Sequence, residues 1–128
     1  MATFKFELVS PERILMSVDA EEVVVPGSEG EMTVMAGHAP LVTTLRPGVL
    51  DIRSGDSRKR VFVKRGFAEV DATHVTILAD TAIEIEAMTP ERIAAERKLA
   101  EEELAGAIDD DARHHAQAAL ASFAALSA

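Results

Sequence analysis

The amino-acid sequence predicts an N-terminal β-sandwich, or flattened barrel, over residues 1–87, followed by a C-terminal antiparallel two-helix hairpin over residues 88–128. Apolar and polar side chains alternate through the first region with the period of two that is typical of half-buried strands. The second region holds one glycine and one proline and is rich in alanine, which favours a helix. The change of composition therefore predicts two structural units in one chain.

The predicted strands are short alternating runs separated by Gly, Pro, Asp and Ser. Their apolar positions are Phe4, Phe6 and Leu8; Ile14, Met16 and Val18; Val23 and Val25; Met32 and Val34; Leu50 and Ile52; Val61 and Val63; Phe67 and Val70; and Val75, Ile77 and Ala79. About eight or nine such strands are typical of a sandwich or barrel. Phe62 and Lys64 alternate with the two neighbouring valines and so belong on the opposite face of their strand. Residues 54–57 predict a hairpin loop.

Turn residues are concentrated in residues 25–52, which hold four of the seven glycines and three of the five prolines. The Pro-Gly pairs at 26–27 and 47–48 predict type II turns, because proline suits the first central position and glycine the positive φ of the second. A Gly-His-Ala-Pro turn lies between them at residues 37–40. A rigid, exposed surface built in this way suggests a role in binding.

The helical region carries local start and stop signals. Thr89 predicts an N-cap, and Pro90 suits the first helical position. Gly106 predicts the end of the first helix in the left-handed conformation. Residues 109–111 are all Asp, which predicts a second N-cap and a negative first turn, and the second helix should run to near Leu126.

The predicted hairpin has few large apolar side chains with which to pack against the sandwich. They are Ile93, Leu99, Leu104, Ile108, Leu120, Phe123 and Leu126. High alanine content favours the helices whatever they contact. We therefore expect a conditional arm that is helical in more than one position. The alternative is a permanently packed pair of surface helices.

Composition excludes several classes of protein. The net charge of −9 opposes binding to a nucleic-acid backbone. There is no cysteine, so thiol catalysis and zinc fingers are excluded. The N-terminus resembles no signal peptide, and no apolar run reaches the length of a membrane span. These features predict a soluble cytosolic protein.

Catalytic signals are weak. His38 is the histidine of the turn-rich stretch, and Glu31 is the nearest acid before it. A hydrolytic or metal-dependent enzyme using His38 is one hypothesis, but an acid/base pair requires hydrogen-bond geometry that spacing does not establish. The alternatives for His38 are a bond to its own backbone or a polar contact with a partner. His114 and His115 point about 100° apart on a helix and do not form a metal-binding pair.

Two runs of charge are also notable. The basic residues at 58–60 and 64–65 predict either solvated charge on a hairpin edge or a docking patch for an acidic surface. The glutamates at 101–103 lie near the end of the first helix, where the macrodipole disfavours them, and are interpreted as a solvated face.

Five motifs, in order, resemble the epsilon subunit of bacterial F-type ATP synthases. They are Gly-Ser-Glu-Gly-Glu at 27–31, Gly-His-Ala-Pro-Leu-Val-Thr at 37–43, Leu-Arg-Pro-Gly at 45–48, Gly-Phe-Ala-Glu-Val at 66–70 and Val-Thr-Ile-Leu-Ala-Asp-Thr-Ala at 75–82. The resemblance covers the whole chain. It implies a non-catalytic rotor subunit of the central stalk that binds the gamma subunit and the c-ring and couples proton transport to ATP synthesis.

The resemblance also implies a place and a set of contacts. The subunit would lie at the cytoplasmic face of the bacterial plasma membrane, without spanning it, and an extended arm would reach the alpha and beta subunits. The partner-binding residues implied are Glu31, Gly37, His38, Ala39, Pro40 and Thr43. No cofactor or metal is expected.

Departures from the family pattern bear on regulation. In members that bind ATP at the hairpin, an Asp lies three residues before an Arg, and an Ala directly follows the Arg; here Arg92 is kept, but Thr89 replaces the Asp and Ile93 replaces the Ala. Arg92 is therefore only a weak nucleotide-binding candidate, and ATP sensing is not expected. The last helix carries Arg113 where strongly inhibitory members have several basic residues, so we expect weak or absent inhibition. Arg65 stands where the family usually has a second glycine.

One further hypothesis comes from a different class of protein. A free-standing ligand-binding β-sandwich with a helical lid would have the same predicted fold. Co-purification distinguishes the two, because a stalk subunit should bring down gamma and c subunits and a free module should not.

Overall fold

The computed structural model describes residues 2–127, and side chains as far as residue 124. The strands are β1 (Phe4–Val9), β2 (Ile14–Ala20), β3 (Glu22–Gly27), β4 (Gly30–Val34), β5 (Leu41–Thr44), β6 (Gly48–Ser54), β7 (Ser57–Val70) and β8 (His74–Glu84). A 3₁₀ turn (Ile85–Ala87) leads to helices α1 (Pro90–Ala105) and α2 (Asp110–Ser127). Neither described helix combines the length and apolarity required to cross a membrane.

The strands are hydrogen-bonded in the order β2-β1-β8-β7-β6-β3-β4, and β5 pairs with β7. The β1–β8 pair is parallel, and the others are antiparallel. The long strand β7 pairs with β6 along its first half and with β5 along its last four residues. One strand thus serves both halves of the sandwich, and the predicted fold class is confirmed.

The predicted alternation describes the core well. Phe6, Val23 and Ile77, for example, are fully buried in one cluster between the two halves of the sandwich. Ile14 is an exception, because it is 60% exposed. The β1–β2 register shifts between Leu8 and Val9, and this bulge disturbs the alternation at the start of β2.

The prediction of type II turns at the two Pro-Gly pairs is wrong. Neither Gly27 nor Gly48 has positive φ. Pro26 and Gly27 end β3, paired with β4, and Gly48 begins β6. A Cβ on Gly48 would lie 2.7 Å from the Cβ of Pro26, so glycine is required there for close approach rather than for a turn.

The middle of β7 is the most constrained backbone in the sandwich. Arg65 has φ of 59°, which is uncommon for a residue other than glycine. The phase of the alternation changes at this residue, since Val63 points into the core before it and Ala68 after it. Gly66 follows directly, and its carbonyl oxygen accepts a hydrogen bond from the Leu45 N–H (2.9 Å). β7 therefore changes partner and face at one short segment.

Both helices begin as predicted. The Thr89 hydroxyl accepts from the Arg92 N–H (3.1 Å), and Pro90 is the first residue of α1. The Asp109 carboxylate accepts from the Ala112 N–H (2.8 Å). The left-handed end predicted at Gly106 is wrong, because its φ is −94° and its N–H continues the helical pattern to the Glu102 carbonyl (3.0 Å).

The helical hairpin packs on the outward face of β6, β7 and β8. Phe62 is 0% exposed, and its ring centroid lies 4.8 Å from that of Phe123 on α2. Ala100 and Ala119 complete the buried part of this second cluster. The partly buried residues around it are Ile83, Ile85, Met88, Ile93 and Leu120.

The hairpin buries fewer large side chains than the sequence offers. Leu99 is about half exposed, and Ile108, in the loop between the helices, is 93% exposed. The Leu126 side chain lies outside the described residues. Small alanines supply much of the contact, because they allow the helices to approach each other closely.

Candidate partner-binding surface

The Ser-Glu turn between β3 and β4 is tied to β5. The Ser28 N–H donates to the Thr44 carbonyl (2.9 Å), and the Ser28 and Thr43 hydroxyls lie 3.3 Å apart. Thr43 is half-buried, whereas Ser28 and Glu29 are exposed. These bonds hold the turn in a fixed position relative to β5, as expected for a binding loop on a rigid support.

The loop that contains His38 is held at a different place. Its backbone turns at residues 35–38, where Gly37 has φ of 86° and the His38 N–H donates to the Met35 carbonyl (3.3 Å). The Gly37 N–H donates to the Ala72 carbonyl (2.8 Å), which attaches this loop to the β7–β8 turn. Gly37, Ala39 and Pro40 are exposed.

The β7–β8 turn that supports this loop is itself organised by Asp71. One carboxylate oxygen accepts hydrogen bonds from the N–H groups of Thr73 (2.8 Å) and His74 (2.7 Å). The bonds from Thr73 and then His74 lower the pKa of Asp71 below its ordinary value. The turn is therefore stabilised by the ionised carboxylate, and this contribution is lost when the pH falls through the lowered pKa.

His38 bonds within its own loop. Its Nδ1 lies 2.7 Å from the carbonyl oxygen of Ala39, and the side chain is half-buried. This agrees with the expectation that His38 bonds its own backbone. It leaves the Nε2 edge of the ring for any contact with a partner.

Glu31 occupies a different part of the surface. It is exposed on β4, opposite Pro26, one residue from the start of the strand, whereas His38 follows the other end of that strand. Glu31 lines a shallow groove together with Arg46 and with small residues of α2 such as Ala118. The fold thus places Glu31 and His38 near opposite ends of β4 and brings Thr43 beside the Ser-Glu turn.

The described residues contain no cluster of three His, Asp or Glu side chains that suits a metal ion. Arg92, the nucleotide candidate, pairs with Glu96 one helical turn later (3.2 Å). Asp51 accepts two hydrogen bonds from the Arg58 guanidinium, one of 2.8 Å from Nε. These bonds lower the pKa of Asp51. Arg92 and Arg58, the first residue of the basic run at 58–60, are therefore both paired within the chain.

Lys64 and Arg65 also have an acidic partner, and it lies on the hairpin. The Glu103 carboxylate accepts from Lys64 Nζ (3.2 Å) and from the Arg65 guanidinium (3.4 Å). The interpretation of residues 101–103 as a solvated face is therefore wrong for Glu103. The acidic surface that these two cations contact belongs to the same chain.

Sequence reasoning missed an exposed apolar strip on the outer face of the sandwich. We define the apolar strip as the exposed Val42 and Phe67 together with the half-buried Val9 and Leu78. Val42 is 68% exposed and Phe67 is 41% exposed. The ladder pairs place Phe67 beside Leu78, and Leu78 beside Val9, across three strands. A signal was available, because Phe67 and Val70 are three residues apart and cannot share one face of a strand.

The chain matches the family model described as ATP synthase, Delta/Epsilon chain, beta-sandwich domain, over residues 3–85. It is 45% identical over 112 residues to the ATP synthase epsilon chain of Parvibaculum lavamentivorans, which covers 87% of this chain and 85% of the relative. It is 44% identical over 124 residues to the ATP synthase epsilon chain of Mesorhizobium japonicum, covering 96% and 92% of the two chains.

Solved structures agree with the sequence comparisons. A chain in the cryo-EM structure of the Euglena gracilis mitochondrial ATP synthase, OSCP/F1/c-ring, aligns with a TM-score of 0.75 at 25% identity, covering 99% of this chain and 81% of that one. A chain of the Tetrahymena thermophila mitochondrial ATP synthase central stalk and c-ring shares the fold, with a TM-score of 0.68 at 14% identity over 99% and 98% of the two chains. On this evidence, the chain belongs to the family of ATP synthase epsilon chains.

Proposed function

We propose that the chain is a non-catalytic rotor subunit of the central stalk of a proton-translocating ATP synthase, where it links the gamma subunit to the c-ring. The observation that carries this proposal is its similarity to bacterial ATP synthase epsilon chains over nearly its whole length. The separation of Glu31 from His38 supports a binding role for both rather than an acid/base pair. Such a subunit would lie at the cytoplasmic face of the plasma membrane.

The turn-rich surface of the sandwich suits the c-ring contact. The Ser-Glu turn is held by bonds to Thr43 and Thr44 of β5, and Gly37 is held by the β7–β8 turn. Loops fixed in this way would transmit torque with little deformation. His38, with exposed Ala39 beside it, and Glu31, near the other end of β4, would supply polar contacts at separate points of this surface.

The apolar strip suits the gamma contact. Exposed apolar patches on soluble proteins mark interaction surfaces. The hairpin packs around Phe62 and leaves Val42 and Phe67 exposed, so a partner could bind the strip while the hairpin is docked. Removing apolar surface from water contributes ~25 cal/mol per Å². Val42 and Phe67 should therefore be central to this interface.

A pull-down on purified gamma subunit tests this assignment. We expect Val42→Asp to weaken gamma binding at least about tenfold, as for a residue central to an interface. Ile108→Asp is the matched control, since Ile108 is also an exposed apolar residue but lies in the loop between the helices, outside the strip. Equal binding by the two variants would remove the strip from the gamma interface. Failure of the unmodified chain to bind gamma would favour the free-standing sandwich.

We also propose that the hairpin is a weakly inhibitory arm that does not sense ATP, and that it reaches the alpha and beta subunits when extended. Arg92 pairs with Glu96, and Arg113 pairs with Asp110. Part of the basic charge that inhibition or nucleotide binding would use is thus neutralised within the helices. The docked position of the hairpin is the starting state of such an arm.

Deletion of residues 89–128 tests the weak inhibition. We expect the rate of ATP hydrolysis by the assembled enzyme to change little, because the arm carries so few cations. Since the deletion uncovers Phe62, a second truncated variant should also carry Phe62→Gln to keep the exposed face soluble. A several-fold rise in hydrolysis by both truncated forms would contradict the expectation.

A further inference from the structure

Lys64 is a cation in an unusual position. It is 7% exposed, on the outward face of β7, two residues after Phe62. Its ammonium group bonds to the Glu103 carboxylate near the end of α1 (3.2 Å). A buried charge is unfavourable unless it is paired, so the burial of Lys64 depends on Glu103.

Arg65 adds a second bond to the same carboxylate (3.4 Å). Its left-handed backbone directs two consecutive residues of β7 to one hairpin carboxylate, although neighbours in a regular strand point to opposite faces. This is also the position at which the chain departs from the glycine expected by resemblance. The residue that departs from the family pattern is therefore also one that contacts the hairpin.

Glu103 lies in the last turn of α1, where the helix macrodipole disfavours negative charge. Two cations of the sandwich offset that cost only while the hairpin is docked. In an undocked hairpin, Glu103 would face water at the unfavourable end of its helix. The docked and undocked states therefore differ in how well this carboxylate is neutralised.

We propose that Glu103, Lys64 and Arg65 form an ionic latch that holds the hairpin on the sandwich and sets how often it leaves. The latch adds an ionic attachment of α1 to the apolar contacts of Ala100 and Ile93, while the Phe62–Phe123 contact holds α2. The two attachments lie next to each other on β7. Loss of the latch removes the ionic attachment of α1 and raises the population of the undocked hairpin, even when the aromatic contact is intact.

Amide hydrogen exchange on the isolated full chain tests the latch. We expect Glu103→Gln to accelerate exchange in residues 90–124 about tenfold or more, because it leaves Lys64 buried without a charged partner. Glu102→Gln is the matched control, since Glu102 is exposed in the same helical turn. Salt at about 1 M, where the Debye length is ~3 Å, should accelerate exchange of the unmodified hairpin less than Glu103→Gln does, because it screens the exposed Arg65 more than the buried Lys64.

A mutant cycle separates the latch from a local effect on α1. In a chain carrying Lys64→Met and Arg65→Gly, the further change Glu103→Gln should have no additional effect on hairpin exchange. Equal exchange in Glu103→Gln and Glu102→Gln would overturn the proposal. Acceleration spread evenly over the sandwich, or an undiminished effect of Glu103→Gln in the doubly substituted chain, would overturn it as well.

This inference rests on the proposed function only for the consequences of hairpin release in the assembled enzyme. Exchange is measured without gamma or the c-ring. A chain that fails to bind gamma would refute the rotor assignment and leave the latch intact. A chain with no latch would leave the gamma interface unaffected.

Discussion

Replacement of Gly66 by alanine is expected to destabilise the sandwich severely, although it adds only one methyl group. A Cβ at this position would lie 2.8 Å from the Leu78 carbonyl carbon and 2.9 Å from the Ala79 Cα, and closer still to the Leu78 oxygen. These are backbone atoms of the neighbouring strand, so no side-chain rotation relieves the clash. β7 and β8 must separate at the point where β7 changes partner.

The loss should reach or exceed the upper end of the ~1–3 kcal/mol that overpacking usually costs. Domains of this size have total stabilities of about 5–15 kcal/mol. Urea unfolding, followed by circular dichroism, measures the change in the free energy of unfolding. The variant is expected to show a markedly lower midpoint or to be recovered unfolded.

Gly106→Ala is the matched control for this experiment. Its backbone has ordinary negative φ, and the nearest atom to an added methyl group would be the Glu102 oxygen at 3.4 Å. Alanine should be neutral or stabilise the hairpin by about 0.4–1 kcal/mol, because it restricts the unfolded chain. If both variants lose stability equally, the space around Gly66 is not the cause.

Replacement of Phe62 by alanine is expected to release the hairpin while leaving the sandwich folded. The Phe62 ring is fully buried against Phe123, and its removal leaves a cavity between α2 and the sheet. Phe-to-Ala changes in cores cost about 3–5 kcal/mol. That cost should fall on hairpin docking, since Phe62 points away from the main core and belongs to the second cluster.

Hydrogen exchange separates the two units of the chain. Amides of α1 and α2 should lose protection in Phe62→Ala, whereas those of β1 and β8 should retain it. Phe67→Ala is the control, because Phe67 lies on the same strand but is partly exposed. Loss of protection throughout the sandwich, or unchanged protection of the helices, would contradict the separate role of the second cluster.

Much of the fold follows from short-range patterns. The buried faces of β1, β3 and β8 follow the alternation of Phe4 to Leu8, of Val23 with Val25 and of Val75 to Ala79. Thr89 and Asp109 cap their helices because each cap involves a hydrogen bond within three residues along the chain. Interactions at that range can be predicted without knowing where the rest of the chain lies.

The candidate surface was predicted only in part. Turn chemistry directed attention to His38, and the family resemblance added Thr43; their partner contacts remain predictions. It did not identify Val42 and Phe67, because the exposure of an apolar residue depends on which neighbours cover it. It also assigned Glu103 to solvent, since the cations that it contacts lie 38 and 39 positions earlier in the chain.

The sequence by itself determined the two units, the two-residue period of the strands, the starts of the helices and the concentration of turn residues at 25–52. Tertiary structure alone decided what covers the outward face of β7, where Phe62 and Lys64 are buried by the hairpin. Tertiary structure also sets the requirement for glycine at positions 48 and 66, because an added Cβ would clash with Pro26 and with Leu78, respectively. Period and capping depend on residues a few positions apart, whereas burial and close approach depend on segments brought together only by folding.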